Sequence, residues 1–236
     1  MKKKNKLKFL VIFIISFILN LTVSNAFNKE DLLKIKKKQS CINCDLTEID
    51  LQGADLSKLN LTGTDFSYSN LSGANLSKSN LSNSKFLKSK LKGTNLNSSN
   101  LNFVDMTEAD LRPLNTYGLS LGSLFINSKK INENIINKNN INRSVYFRTS
   151  IRNASIKHAN FFKTKLINVD LSYSIMDNSN FDSAKLHGSE IDDASLKQTN
   201  LENASFKNTN LNNSDFEKAI IINTNFEGAL LSNTKF

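Results

Sequence analysis

From Leu46 onward a large apolar residue returns at every fifth position, and the polar residues between keep step with it. One run goes from Leu46 through Leu51, Leu56 and Leu61 to Leu111, and a second from Tyr146 through Ile151 and Ile156 to Phe236. Together they hold 33 positions without a miss, which chance does not supply. A step of five fits neither the helical period of about 3.6 nor the strand period of about 2, so each unit reads as a short bridge followed by a corner.

The other positions of the unit follow from that centre. Two residues before it the second run has Ser144, Thr149, Ala154, Ala159, Thr164 and Val169, and then only Ala, Ser or Thr, so a second inward position accepts small side chains. The residue between is usually Asp or Asn, as at Asp55, Asn60 and Asp65, whose short side chains bond nearby backbone at a turn. Two residues after the centre stand Gly53, Gly63, Gly73, Gly93, Gly188 and Gly228, or Asn at 153, 168, 203 and 208, the residues that tolerate a positive φ. Four aromatic pairs fall 20 residues apart: Phe66 with Phe86, Phe161 with Phe181, Phe206 with Phe226, and Phe216 with Phe236. A coil of four units would stack each pair, since neighbouring rungs lie about 4.8 Å apart. The expected fold is therefore an all-β parallel solenoid with these phenylalanines as a core ladder.

Segments such as Ala54-Asp55-Leu56-Ser57-Lys58 and Ala74-Asn75-Leu76-Ser77-Lys78 resemble the A(D/N)LXX unit of the pentapeptide-repeat proteins. The resemblance covers about four fifths of the chain and implies a right-handed, four-sided β-helix. It implies little about activity, because most members of that family have no known biochemical role. Some of them resemble duplex DNA in shape and acidity and bind topoisomerases in its place.

Charge speaks against that role here. The formal charge is +10, but five of the lysines lie in residues 1–8, and residues 27–40 hold a further excess of three, so 41–236 retain only +2. The basic residues look scattered along the sequence, without the Lys/Arg stripe that nucleic-acid binding calls for, and no nucleic-acid partner is expected. Residues 1–26 have the form of a secretory signal peptide: a lysine-rich start, an apolar stretch over 9–21, and Ser24-Asn25-Ala26 for cleavage. About 13 apolar residues are few for a membrane span, which needs about 20, so membrane contact is expected only if this segment stays uncleaved. The predicted location is periplasmic or secreted.

Residues 27–40 read as an N-terminal capping helix, with Asn28 as N-cap, Glu30 and Asp31 in the first turn, and Lys36, Lys37 and Lys38 in the last. Leu32, Leu33 and Ile35 are expected to lie over the open end of the first coil, which otherwise presents bare core and unpaired backbone. Cys41 falls on a centre in phase with Leu46, and Cys44 on the small position before it. Three readings stay open: buried thiols, a disulfide pinning the first coil, or a redox or metal pair. Export favours the disulfide, and similar Cys-x-x-Cys pairs open the repeats of some other pentapeptide-repeat proteins. A zinc site would need two more ligands, and the only histidines, His158 and His187, sit far along the chain at outward positions.

The first block of repeats spans 41–111 and the second 144–236. Between them, over 112–143, the pattern fails: Thr116 takes a centre, Lys129, Asn134 and Asn139 take inward positions, and Pro113 is the chain's single proline. Leu111 and Tyr146 are nonetheless 35 apart, seven whole units, which favours degenerate solenoid; a buried Lys129 would be costly and favours a loop insertion. Irregular, basic insertions in a regular scaffold are natural binding features. The last centre, Phe236, has no lid after it, and a homodimer through the C-terminal coil is the expectation. No phosphate-binding glycine loop, nucleotide fingerprint or paired metal motif is present, so neither enzyme activity nor a cofactor is expected. The reading is an exported structural or protein-binding scaffold whose partner is an unidentified protein, with a cytoplasmic topoisomerase-binding DNA mimic as the alternative.

Overall fold

The structure, a computed structural model, describes residues 27–115 and 146–236. The expected signal segment, and Thr116, Lys129, Asn134, Asn139 and Ser144, lie outside them. Each bridge residue pairs in parallel with the one 20 positions on, as in Asp45 with Asp65, Asp50 with Asn70, Asp55 with Asn75 and Asn60 with Asn80. Four such pairs close one turn, so the chain is a four-sided parallel β-helix. Every rung is fastened in both directions: the Leu51 N–H donates to the Asn70 carbonyl at 2.8 Å, and the Asn70 N–H to the Ile49 carbonyl at 2.9 Å.

The four faces are named by their centres. The first carries Cys41, Leu61, Leu81 and Leu101; the second Leu46, Phe66, Phe86 and Met106; the third Leu51, Leu71, Leu91 and Leu111; the fourth Leu56, Leu76 and Leu96. All are buried, each worth about 1.5–3 kcal/mol for a Leu or Phe. The small inward positions often carry hydroxyls, and these are bonded: Thr94 Oγ1 donates to the Leu71 carbonyl at 2.9 Å and Ser174 Oγ to that of Ile151 at 2.7 Å. Among the described residues no buried side-chain polar atom lacks a partner. The bridge carboxylates and amides close the corner, with Asp55 Oδ1 accepting from the Ser57 N–H at 3.2 Å, and also stack, with the Asn100 amide donating to Asn80 Oδ1 at 3.0 Å.

The corner residue has a positive φ in unit after unit, and Lys58, Tyr68 and Phe103 adopt it as readily as Asn153. Rung bonds on both sides impose that geometry, overriding a local cost of about 1–2 kcal/mol for a side chain. At Gly63 a Cβ would lie 2.0 Å from Asn43 Oδ1, so the Asn43 side chain would have to shift to admit one. The phenylalanines stack as rungs do: ring centroids are 5.0 Å apart for Phe66 and Phe86, 4.6 Å for Phe161 and Phe181, 5.4 Å for Phe206 and Phe226, and 5.3 Å for Phe216 and Phe236.

At the interruption the pairing offset changes from 20 to 55. Asn95 pairs with Ser150, Asn100 with Ser155, Asp105 with Asn160 and Asp110 with Lys165, after which the offset returns to 20. The coil thus passes from the unit of Leu111 to that of Ile151 as if 35 residues were not there. Two short strands, β1 (Leu114–Asn115) and β2 (Tyr146–Phe147), pair antiparallel at the exit. Tyr146 is expected to be a centre from its phase, but it pairs with Asn115 in this stem, and the solenoid resumes at Thr149, which is fully buried.

The cap is α1, Lys29–Lys36. It is shorter than the 27–40 segment because the backbone turns at Lys37 and enters positive φ at Lys38. Asn28 caps it, accepting from the Glu30 N–H at 2.9 Å. Ile35 is buried and Leu32 packs partly on the core, whereas Leu33 is 54% exposed, contrary to expectation. The helical period explains this, since a position two residues from Asp31 and Ile35 points off their shared face. At the other end the last coil leaves Ile221 43%, Leu231 39% and Phe236 60% exposed. No helix among the described residues is long and apolar enough to cross a membrane.

Candidate functional site

Two places on the coil gather side chains that the repeat does not require. The first lies under α1. Cys41 and Cys44 are joined, with sulfurs 2.03 Å apart, and both are buried. Beside them Asp31 points inward, also buried, with one of its carboxylate oxygens and the two sulfurs all within 4.8 Å of one another. Its carboxylate accepts from Lys34 Nζ at 2.7 Å and from the Asp45 N–H at 3.0 Å. Burial alone would raise the Asp31 pKa, but the Lys34 ammonium and the Asp45 N–H outweigh it and hold the acid below its usual range. Sequence reasoning placed Asp31 only as a first-turn acid; its position four residues before Ile35, on one helix face, was the available signal. Between α1 and the first coil lies a cleft of about 690 Å³, floored by Phe27, Leu32, Ile35, Leu51 and Leu56.

The second place is the root of the interruption. On the outgoing side Arg112 grips Asp110 with two hydrogen bonds, Nε at 2.8 Å and the terminal nitrogen at 2.7 Å, and Lys92 approaches the same carboxylate at 3.5 Å. Desolvation raises the Asp110 pKa, and the Arg112 contacts with the Lys92 charge more than reverse it. On the return side Arg148 donates to the carbonyls of Asn168 at 2.9 Å and Val169 at 3.2 Å, in the next coil. Thr149 closes the seam, accepting from the Gly93 N–H at 2.8 Å and donating toward the Leu91 carbonyl at 3.2 Å. Neither arginine was singled out from the sequence, because the contacts cross between stretches that pair only after 35 residues are set aside.

The two histidines are not brought together. His158 stacks on exposed Phe103, centroids 4.9 Å apart, on a corner of the first face, while His187 bonds Ser205 Oγ at 2.7 Å on the third. The eight ladder phenylalanines lie inside the coil or at its last turn.

A five-residue unit with buried centre, small inward neighbour and positive-φ corner, closing a turn every four units, is the geometry on which the pentapeptide repeat rests. The pentapeptide-repeat model matches eight copies, over residues 44–83, 74–112, 164–203 and 199–236. The chain belongs to the pentapeptide-repeat family. The matches stop at 112 and resume at 164, flanking the interruption. Among solved structures, this pentapeptide-repeat chain is similar to HetL, a pentapeptide repeat protein involved in heterocyst differentiation regulation in the cyanobacterium Nostoc. Identity is 19%, over 84% of this chain and 87% of that one, with a TM-score of 0.33. Full-length QnrB1, a plasmid-mediated fluoroquinolone resistance protein, is 20% identical over 83% of this chain and 90% of its own, with a TM-score of 0.35. Rfr23 from the cyanobacterium Cyanothece is 19% identical over 62% and 90%, with a TM-score of 0.29. Likenesses of this size carry no argument about function. No curated protein matches the chain.

Proposed function

We propose that the protein is an exported, non-catalytic pentapeptide-repeat scaffold, a right-handed four-sided column that holds a partner protein at the interruption of its coil. The observation that carries this reading is the pinned exit: an otherwise unbroken ladder releases 35 residues at one corner, with Arg112 and Arg148 fixing the two feet. Elsewhere the inward polar groups among the described residues are consumed by the fold itself, so function falls to the outward surface. Export is supported by the order of residues 1–26, basic then apolar then small, and by the Cys41–Cys44 bond, which suits an oxidising compartment. Association of two copies through the last coil belongs to the same reading, supported by its exposed Ile221, Leu231 and Phe236. Light scattering that reports a monomer at high concentration would remove that part.

The alternative, a cytoplasmic DNA mimic, draws support from the second face, which carries Asp45, Asp65, Asp105, Asp182 and Glu202. Duplex DNA, however, is anionic all the way round, and the third face of this coil is basic. Mass spectrometry of tagged protein recovered from its native envelope after mild crosslinking separates the two. A chain starting at Phe27 and joined to one partner supports the scaffold; an unprocessed cytoplasmic chain joined to a topoisomerase supports the mimic.

A further inference from the structure

The basic residues look scattered in the sequence, and the coil corrects that. Once the 35-residue excursion is set aside, Lys90, Asp110, Lys165 and Lys185 become successive members of one column on the third face. Lys92, Arg112 and Lys207 belong to the column beside it. The acids pointing out of this face are Asp50 and Glu227 at its ends, Glu227 held by Lys207 at 2.8 Å, and Asp110, held by Arg112 and Lys92. Lys90, Lys165 and Lys185 have no ion-pair partner among the described residues and are exposed. The basic stretch is straight and extends for about 19 Å, four rungs of about 4.8 Å.

Two features show that this is more than an ordinary solvated face. Lys165 and Lys185 oppose each other directly across a rung, an arrangement of like charges that destabilises a sheet. On the second face the same position carries Asn160, Asn180 and Asn200, whose amides bond along the column at 3.1 and 3.2 Å. The second feature is the corner beside the stripe. Among the described residues, five of the six glycines at positive φ, Gly53, Gly73, Gly93, Gly188 and Gly228, stack in this single corner column, joined by Asn168 and Asn208. The other corners carry Lys58, Tyr68, Phe103 and Lys163, so the geometry itself does not demand glycine. The third face thus has, where it meets the fourth, an edge with few side chains standing above it, and a flat partner can approach closely there.

We propose that the third face is a docking surface for the anionic headgroups of a lipid bilayer. A plane meets only this face, whereas a partner that wraps would also meet the acidic second face. The face presents no Phe, Tyr or Trp on which nucleic-acid bases would stack, and Ile167 is its one large outward apolar side chain, too little for a protein hot spot. Membrane contact by this route is independent of the signal segment and of the scaffold reading above.

The test is co-sedimentation of the full chain with vesicles of phosphatidylcholine containing about 30% phosphatidylglycerol, against pure phosphatidylcholine, the reading being the fraction released when salt rises from about 0.1 to about 0.5 M. A salt-releasable fraction on the anionic vesicles alone is expected. Lys165→Gln with Lys185→Gln lowers that partition about twenty-five-fold, about fivefold per lysine. Lys58→Gln with Lys78→Gln, the same charge change on the corner after the fourth face, leaves it within about twofold, and unchanged thermal melts verify that both pairs fold. Equal weakening by both pairs, or no salt-releasable binding, would overturn the proposal. So would salt-sensitive binding to a short DNA duplex in place of vesicles.

Discussion

The coil meets chain that is not part of its ladder at two places, and it treats them differently. At its N-terminal end the first rung would expose both backbone groups of Asp45. The cap takes each of them: the Asn28 N–H donates to the Asp45 carbonyl at 3.1 Å, and the Asp45 N–H donates to Asp31 Oδ2 at 3.0 Å. At the interruption no rung is lost, because Leu96 bonds Ser150 at 2.7 Å just as Leu76 bonds Asn95. A rung joins residues a full turn apart, so a stretch released at a corner costs little more than loop closure, which grows by only about 0.6 kcal/mol per doubling of length. An end removes partners from an entire turn and needs dedicated side chains. The interruption needs only its two feet held.

The comparison can be broken most forcefully at the seam. Ile151→Asp puts a charge on a fully buried centre next to Leu96, where an unpaired carboxylate costs several kcal/mol. Urea unfolding should then separate into two transitions, since solenoid stability is close to a sum over neighbouring repeats; one undiminished transition would contradict the seam. Opening the Cys41–Cys44 bond with dithiol is next. A loop this short gives about 2 kcal/mol of chain entropy, and the loss should appear as a lower urea midpoint, with hydrogen exchange rising first in α1.

Asp31→Asn is expected to cost about 1–3 kcal/mol by weakening the buried contacts to Lys34 and Asp45, and it carries a pH signature. The folded pKa of Asp31 lies below the ordinary aspartate value of 3.8, so its contribution is complete above that value and is lost as pH falls through the lower folded pKa. Wild type and variant should therefore differ at neutral pH and converge in acid well below pH 4, as read from urea midpoints. The smallest effect belongs to the interruption. Replacing residues 116–145 by Asn-Gly, the turn suited to a two-residue hairpin, should leave the urea midpoint nearly unchanged, because β1 and β2 already pair Asn115 with Tyr146.

The period of five made the rung spacing, the phenylalanine stacks and the inward small positions legible, since each is a local consequence of one unit repeated. The cap was legible in type but not in detail: the N-cap and the order of acids and lysines showed a helix, while the burial of Asp31 and exposure of Leu33 depend on how the helix is rotated against the first coil. The interruption misled because its length, 35, is a multiple of five. Nothing in a released loop requires that, so an in-phase Tyr146 carried no information about pairing. The basic column was hidden for the same reason, with Lys90 and Lys165 lying 75 residues apart in sequence but two rungs apart on the coil.

The most direct test of the ladder's passage across the interruption is a pair of cysteine substitutions, Ser98→Cys with Asn153→Cys. These exposed corners neighbour each other only if Ile151 follows Leu111 in the coil; the Ser98 N–H donates to the Arg152 carbonyl at 2.8 Å. Adjacent rungs of about 4.8 Å fall within disulfide range. Rapid oxidation to a 98–153 crosslink in the folded chain is the predicted result. A crosslink that forms with Ser98→Cys and Gly118→Cys, but not with the 98–153 pair, would show that the repeats run on through the interruption and contradict the account.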